Sequence, residues 1–167
     1  MQKLEPPDAH YLNAAIGWLE LGLCAEAAAE LDAISPAHRQ HPDVLEARWS
    51  VLAHQSRWDD ALATASELLA QSPARSSAWL HHAYSLRRAA NGGLQKAWGA
   101  LLPAATRFPE APVICFNLAC YACQLGQLEE ARGWLKRAMK IGGRDQLKLM
   151  ALGDKDLKPL WPEIQKL

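Results

Sequence analysis

Apolar residues recur at three- and four-residue spacing along most of the chain, which places them on single faces of helices. Tyr11, Ala14, Ala15 and Trp18 form one run, Ala27, Leu31 and Ile34 the next, and Gly22 breaks the pattern between them. The pair predicts a helical hairpin. A second hairpin carries Leu45, Trp49 and Leu52, breaks near Gln55 and Ser56, and resumes with Trp58, Ala61, Ala65 and Leu68 before Pro73. A third carries Trp79, Ala83 and Leu86, a loop at Asn91, Gly92 and Gly93, then Ala97, Leu101 and Ala104 before Pro109. A fourth carries Cys115, Leu118, Ala119 and Ala122, turns at Gly126, and continues through Leu128, Ala131, Leu135 and Ala138 to Gly142 and Gly143. Short alternating runs of β-branched residues are missing, so strands are not expected.

Ala27, Ala61, Ala97 and Ala131 hold the same place in successive hairpins, separated by 34, 36 and 34 residues. A fixed period of this length marks a helical solenoid. Alanine suits such a place because antiparallel helices approach closely only where one presents a small side chain to the other. A lone hairpin leaves an apolar face wet, and stacking neighbours buries it.

The set of residues resembles the tetratricopeptide repeat, a 34-residue helix-turn-helix unit. Tyr11 and Trp79 stand at its early aromatic position, Ala15, Ala83 and Ala119 at its small mid-helix position, and Gly22 and Gly126 at its turn. Ala104 and Ala138 fill its later alanine position, and Pro73 and Pro109 its closing proline. The resemblance covers about residues 8–145 and implies an all-α, right-handed solenoid of about four hairpins, 8–41, 42–75, 76–111 and 112–145. Residues 146–167 resemble the capping tail of bacterial members: Leu147, Met150 and Ala151 predict a short amphipathic helix, and Asp154 or Asp156 a cap for a turn with Leu157, Leu160 and Trp161. Two departures stand out. Trp49 falls where the family has glycine or alanine, which suggests that its ring fills space released at Ala65 on the facing helix. Pro36 shortens the first hairpin and leaves residues 36–42 as a link.

With 167 residues the chain is long enough for one domain with its own core. Eighteen basic against eighteen acidic residues give no net field toward nucleic acid or anionic lipid. Charge and prolines at the start, and the absence of a long apolar run, point to the cytoplasm, with no membrane span. Cys24, Cys115, Cys120 and Cys123 read as reduced thiols. Cys120 and Cys123 have redox or metal spacing, but one helix cannot supply four tetrahedral ligands. His38 and His41 lie in the link, and His81 and His82 diverge by about 100° on a helix. No phosphate loop or nucleophile motif occurs, so neither catalysis, cofactor nor metal is expected.

What the resemblance adds is a groove lined by the first helices. Carried over by position, its residues are Ala9, Leu12, Ile16 and Glu20, then Glu46, Ser50 and His54, then Leu80, Tyr84, Arg87 and Arg88, then Val113, Phe116, Cys120 and Gln124, with Asn13, His81 and Asn117 at the margin. Leu80, Tyr84, Arg87, Arg88, Phe116, Asn117 and Gln124 are the expected peptide contacts. The carboxylate clamp of co-chaperone members is missing, since Leu12, Ile16, Ala47, Ser77 and His81 stand at its positions. The reading is a non-catalytic module binding a peptide or extended segment. The alternative is an assembly protein acting through homo-oligomerisation or its solenoid ends.

Overall fold

The computed structural model describes residues 3–166, and no strand occurs among them. The chain folds as α1 (Asp8–Glu20), α2 (Cys24–Ala33), α3 (Pro42–His54), α4 (Trp58–Gln71), α5 (Ser76–Arg88), α6 (Leu94–Leu101), α7 (Ala104–Arg107), α8 (Pro112–Gln124), α9 (Leu128–Gly142), α10 (Arg144–Gly153) and α11 (Trp161–Ile164). Short 3-10 turns cover Pro36–His38 and Lys155–Leu160. Two compact units divide between Ser85 and Leu86.

In the first unit α1 packs on α2 and α3 on α4, with α3 also against α1 and α2. Leu12, Ala15, Ala27, Leu31, Ile34, Val44, Ala47 and Val51 form one buried cluster, and Leu45, Leu68 and Ala78 another. In the second unit α8 packs on α9; α6 lies against α8, α10 against α9, and the Lys155–Leu160 turn lies on α8. Leu157, Leu160 and Ile164 of the tail are buried. Ala27, Ala61, Ala97 and Ala131 have no exposed surface at all, as expected for small residues at close helix crossings.

The turns repeat as faithfully as the alanines. Leu23, Arg57 and Gln127 each donate a backbone N–H to the carbonyl five residues back, on Trp18, Leu52 and Ala122. This closure requires a left-handed residue just past the helix. Gly22 and Gly126 supply it at φ of +76° and +78°, but Ser56 adopts +56°. The third turn is longer, and a Cβ on Gly92 would fall 1.7 Å from the Leu86 carbonyl oxygen, so only glycine fits.

One expectation is corrected, and a second gains a neighbour that the sequence did not indicate. The second helix of the third hairpin, expected as one run to Pro109, divides into α6 and α7 at Leu102 and Pro103, because proline has no N–H to offer the preceding turn and its ring crowds that turn's carbonyl. Trp49, expected to fill space released at Ala65, turns toward α5. Its ring stacks on His81 with centroids 3.6 Å apart, and its Nε1 donates to Ser85 Oγ at 2.8 Å. Ala65 itself is fully buried.

Because Ser56 holds a conformation that glycine adopts without steric cost, Ser56→Gly is expected to raise stability by about 0.5–1 kcal/mol. A rise in the urea midpoint at unchanged slope would verify it, and a fall would show that the serine relieves its own strain.

Candidate functional site

The first helices of the N-terminal unit line a cleft of about 610 Å³. Ile16 and Glu20 come from α1, Asp43, Glu46, Ser50 and His54 from α3, and Ser77 and His81 from α5. A smaller hollow of about 320 Å³ adjoins at Ser50 and His54 and is walled by Trp49, Trp58 and Tyr84. Volumes of this size are those of ordinary ligand sites. Tyr84 meets Trp49 and Trp58 edge-on, with centroids 6.2 and 5.8 Å away, an arrangement that favours the ring quadrupoles.

The cleft is acidic on its rim and neutral on its aromatic side. Arg75 bridges Asp43 and Glu46 at 2.7 and 3.0 Å, and the Ser77 hydroxyl donates to Glu46. One guanidinium thus faces two carboxylates, and Glu20 adds a third acid on the rim. Burial pushes His81 down to about 4, against an upward pull from Glu46, so the imidazole stacked on Trp49 is neutral at physiological pH. Such a surface accepts a cationic group beside an aromatic or aliphatic one.

The C-terminal unit uses the corresponding helix face for its own tail. Phe116 and Cys120 on α8 are buried. The Asp156 carboxylate takes two donors from Arg87, with Nη2 to Oδ1 at 3.1 Å. Gln124 Nε2 donates to the Asp156 carbonyl at 3.0 Å, and Cys120 Sγ to Asp154 Oδ2 at 3.6 Å. Asp154 also caps the Lys155–Leu160 turn through the Asp156 N–H at 2.9 Å. The hydrogen bond that Arg87 donates to Asp156 raises the Arg87 pKa above its ordinary value, and the guanidinium lies 5.5 Å over the Tyr121 ring.

The expected peptide contacts are therefore placed differently from one another. Tyr84 walls the aromatic hollow, and Leu80 is half-buried on the same helix. Arg87 and Gln124 converge on Asp156, and Phe116 is buried on α8. The Asn117 amide donates to the Val113 carbonyl within its own helix at 2.9 Å, and Arg88 is half-buried. The sequence pattern passed over Asp43, Trp49 and Trp58 as cleft residues. For Trp49 a signal was available in its mismatch with the family pattern.

Three chemically suggestive clusters resolve into structural ties. All four cysteines are free. The Cys120 sulfur and the Asp154 and Asp156 carboxylates lie within 4.8 Å of one another, but Arg87 already occupies Asp156, and burial with these two acids drives the thiol pKa up. Arg132 clamps Glu163 through Nε and Nη2, each at 2.7 Å. Asp8, Ser35 and His38 meet near the start of α1. The Ser35 Oγ and N–H both donate to Asp8, at 2.5 and 2.9 Å, and His38 Nδ1 lies 2.6 Å from Asp8 and 3.2 Å from Ser35. A nucleophilic relay needs serine and acid on opposite imidazole nitrogens. Here both face the same one, so the cluster ties α1 to the link.

No protein-family model matches the sequence, and no curated protein aligns with it. Solved structures do resemble the fold. The thermophilic TPR protein TTC0263 of Thermus thermophilus superposes with a TM-score of 0.71 at 17% identity, over 96% of this chain and 100% of that one. MamA 41-end from Desulfovibrio magneticus RS-1 gives 0.71 at 17% identity, over 99% and 97%. MamA AMB-1 gives 0.66 at 16%, over 96% and 91%. The chain has an all-α helical-repeat solenoid fold of the tetratricopeptide type.

Two outcomes follow from the ties. Asp156→Ala removes the partner of a half-buried guanidinium and is expected to cost about 1–3 kcal/mol. The tail that begins at residue 146 should then be cleaved faster in limited proteolysis, whereas an unchanged cleavage pattern would mean that the tail is held without this pair. The Ser35 donors hold Asp8 at about 2, below its ordinary 3.8. Its contribution is thus complete above the ordinary value and disappears as pH falls through the lowered one. The stability gap between wild type and Asp8→Asn should be flat from neutral pH down to about 4 and close toward about 2. A gap independent of pH in acid denaturation would contradict the tie.

Proposed function

We propose that this chain is a non-catalytic interaction module that holds an extended peptide segment against the first-helix face of its N-terminal unit. The observation that carries the reading is the coexistence of an acidic rim, Glu20, Asp43 and Glu46, with the aromatic wall of Trp49, Trp58 and Tyr84. A basic side chain would sit at the rim, and an apolar one against Tyr84 and the neighbouring Leu80. In the C-terminal unit Arg87 and Gln124 already hold the tail, so Arg87, Arg88, Phe116, Asn117 and Gln124 would offer a peptide surface of their own only where Asp156 gives way. The four free thiols suit a reducing cytoplasm. Among the described residues, no helix is long and apolar enough to cross a membrane.

The second reading, assembly through a solenoid end, is favoured by Leu149 and Met150, which are 73% and 43% exposed on α10. Light scattering distinguishes it: a dimer dissociated by Leu149→Glu would support assembly.

Selection of displayed random peptides against the folded chain tests the groove reading. Enriched sequences should pair lysine or arginine with an aromatic or aliphatic residue. Tyr84→Ala should cost about 2 kcal/mol or more in affinity, as for a buried aromatic anchor, and Glu20→Lys should weaken binding with unchanged circular dichroism. Enrichment of acidic peptides, or binding indifferent to both variants, would contradict it.

A further inference from the structure

One stripe of α9 runs through Arg132, Leu135, Lys136, Met139 and Lys140, at the three- and four-residue spacing that shares a helix face. This is the side on which a further repeat would stack, and the tail takes its place, with α10 against α9 and α11 against α10. The cover is incomplete. A cleft of about 560 Å³ remains beside α9, within the range of small-molecule sites.

Its floor is hydrocarbon, made by Leu135 and Met139 from α9 and by Leu160 and Ile164 from the tail. Its rim is ionic and one-sided. Glu163, the one acid among the described lining residues, is engaged at both oxygens by Arg132, whose Nη1 also holds Glu129 at 2.6 Å. Lys136, Lys140 and Arg144 complete the lining with positive charge. Lys136 and Lys140 stand one helical turn apart, about 6 Å, so two ammonium groups can converge on one anionic group.

We propose that this cleft binds a single-chain anionic amphiphile of the fatty-acid class, with its hydrocarbon over Leu135, Met139, Leu160 and Ile164 and its carboxylate between Lys136 and Lys140. Apolar burial supplies most of the affinity, and the charged rim supplies orientation and selectivity against cations. The site is separate from the peptide cleft of the N-terminal unit and does not depend on that reading.

Dodecanoate, titrated below its micelle threshold into the full chain by calorimetry, is the direct probe. Saturable binding at one site is expected, with dodecyltrimethylammonium at least tenfold weaker. Lys136→Glu combined with Lys140→Glu changes only exposed side chains, so the fold should persist in circular dichroism, while dodecanoate affinity falls at least tenfold. The proposal is overturned by absence of saturable binding, by equal binding of the cation, or by unchanged affinity in the charge-reversed protein. An acidic amphipathic peptide that binds here where dodecanoate does not would also overturn it and make the cleft a protein interface.

Discussion

Close approach of two helices at an alanine is the contact on which the rest of this molecule depends. Ala27, Ala61, Ala97 and Ala131 recur at nearly constant spacing, and all are fully buried. A larger side chain at such a crossing would push the helices apart or force strained rotamers. The second observation, the left-handed turn at Gly22, Ser56 and Gly126, sets how each helix reverses into the next. Together these local devices present first helices with one face buried and another available, and the candidate cleft lies on the available face.

Repetition creates the problem of its own end. Each hairpin buries its apolar face against a neighbour, and the last has none. The tail resolves this with Leu157, Leu160 and Ile164, but hydrocarbon alone would allow it to slide. Directional contacts fix its register: Asp156 on Arg87 and Gln124, Asp154 on Cys120, and Glu163 on Arg132. The same lock covers the first-helix face of α8 and leaves the cleft beside α9 unsealed. The N-terminal unit has an open cleft at residues 16–81, so the two units present different chemistry from similar elements.

What the sequence made legible was whatever is encoded within a few residues or repeated at a fixed interval. The period, the buried alanines, the longer link after Pro36 and the cap at Asp154 all belong to this kind. Pro103 was equally local and still passed unweighed, because the periodic pattern of Ala97, Leu101 and Ala104 continues across it. The candidate site was legible only in part. Ile16, Glu20, Glu46, Ser50 and His54 follow from the family resemblance, position by position, and do line the cleft. The pairing of Arg87 with Asp156 joins residues 69 apart, and no periodicity predicts which carboxylate of a folded-back tail reaches which guanidinium. Trp49 was visible as an anomaly, but its direction was set by what α5 offered: a stackable imidazole at His81 and a buried hydroxyl at Ser85.

Where the tail closes the α8 face, Cys120 is buried and donates to Asp154, whereas Cys24 is half-exposed at the start of α2. Thiol labelling followed by peptide mass spectrometry compares the two in one sample. Burial and the neighbouring acids raise the Cys120 pKa, so it should react far more slowly than Cys24 in the native protein and at a comparable rate after denaturation. Equal labelling rates in the native protein would contradict the account.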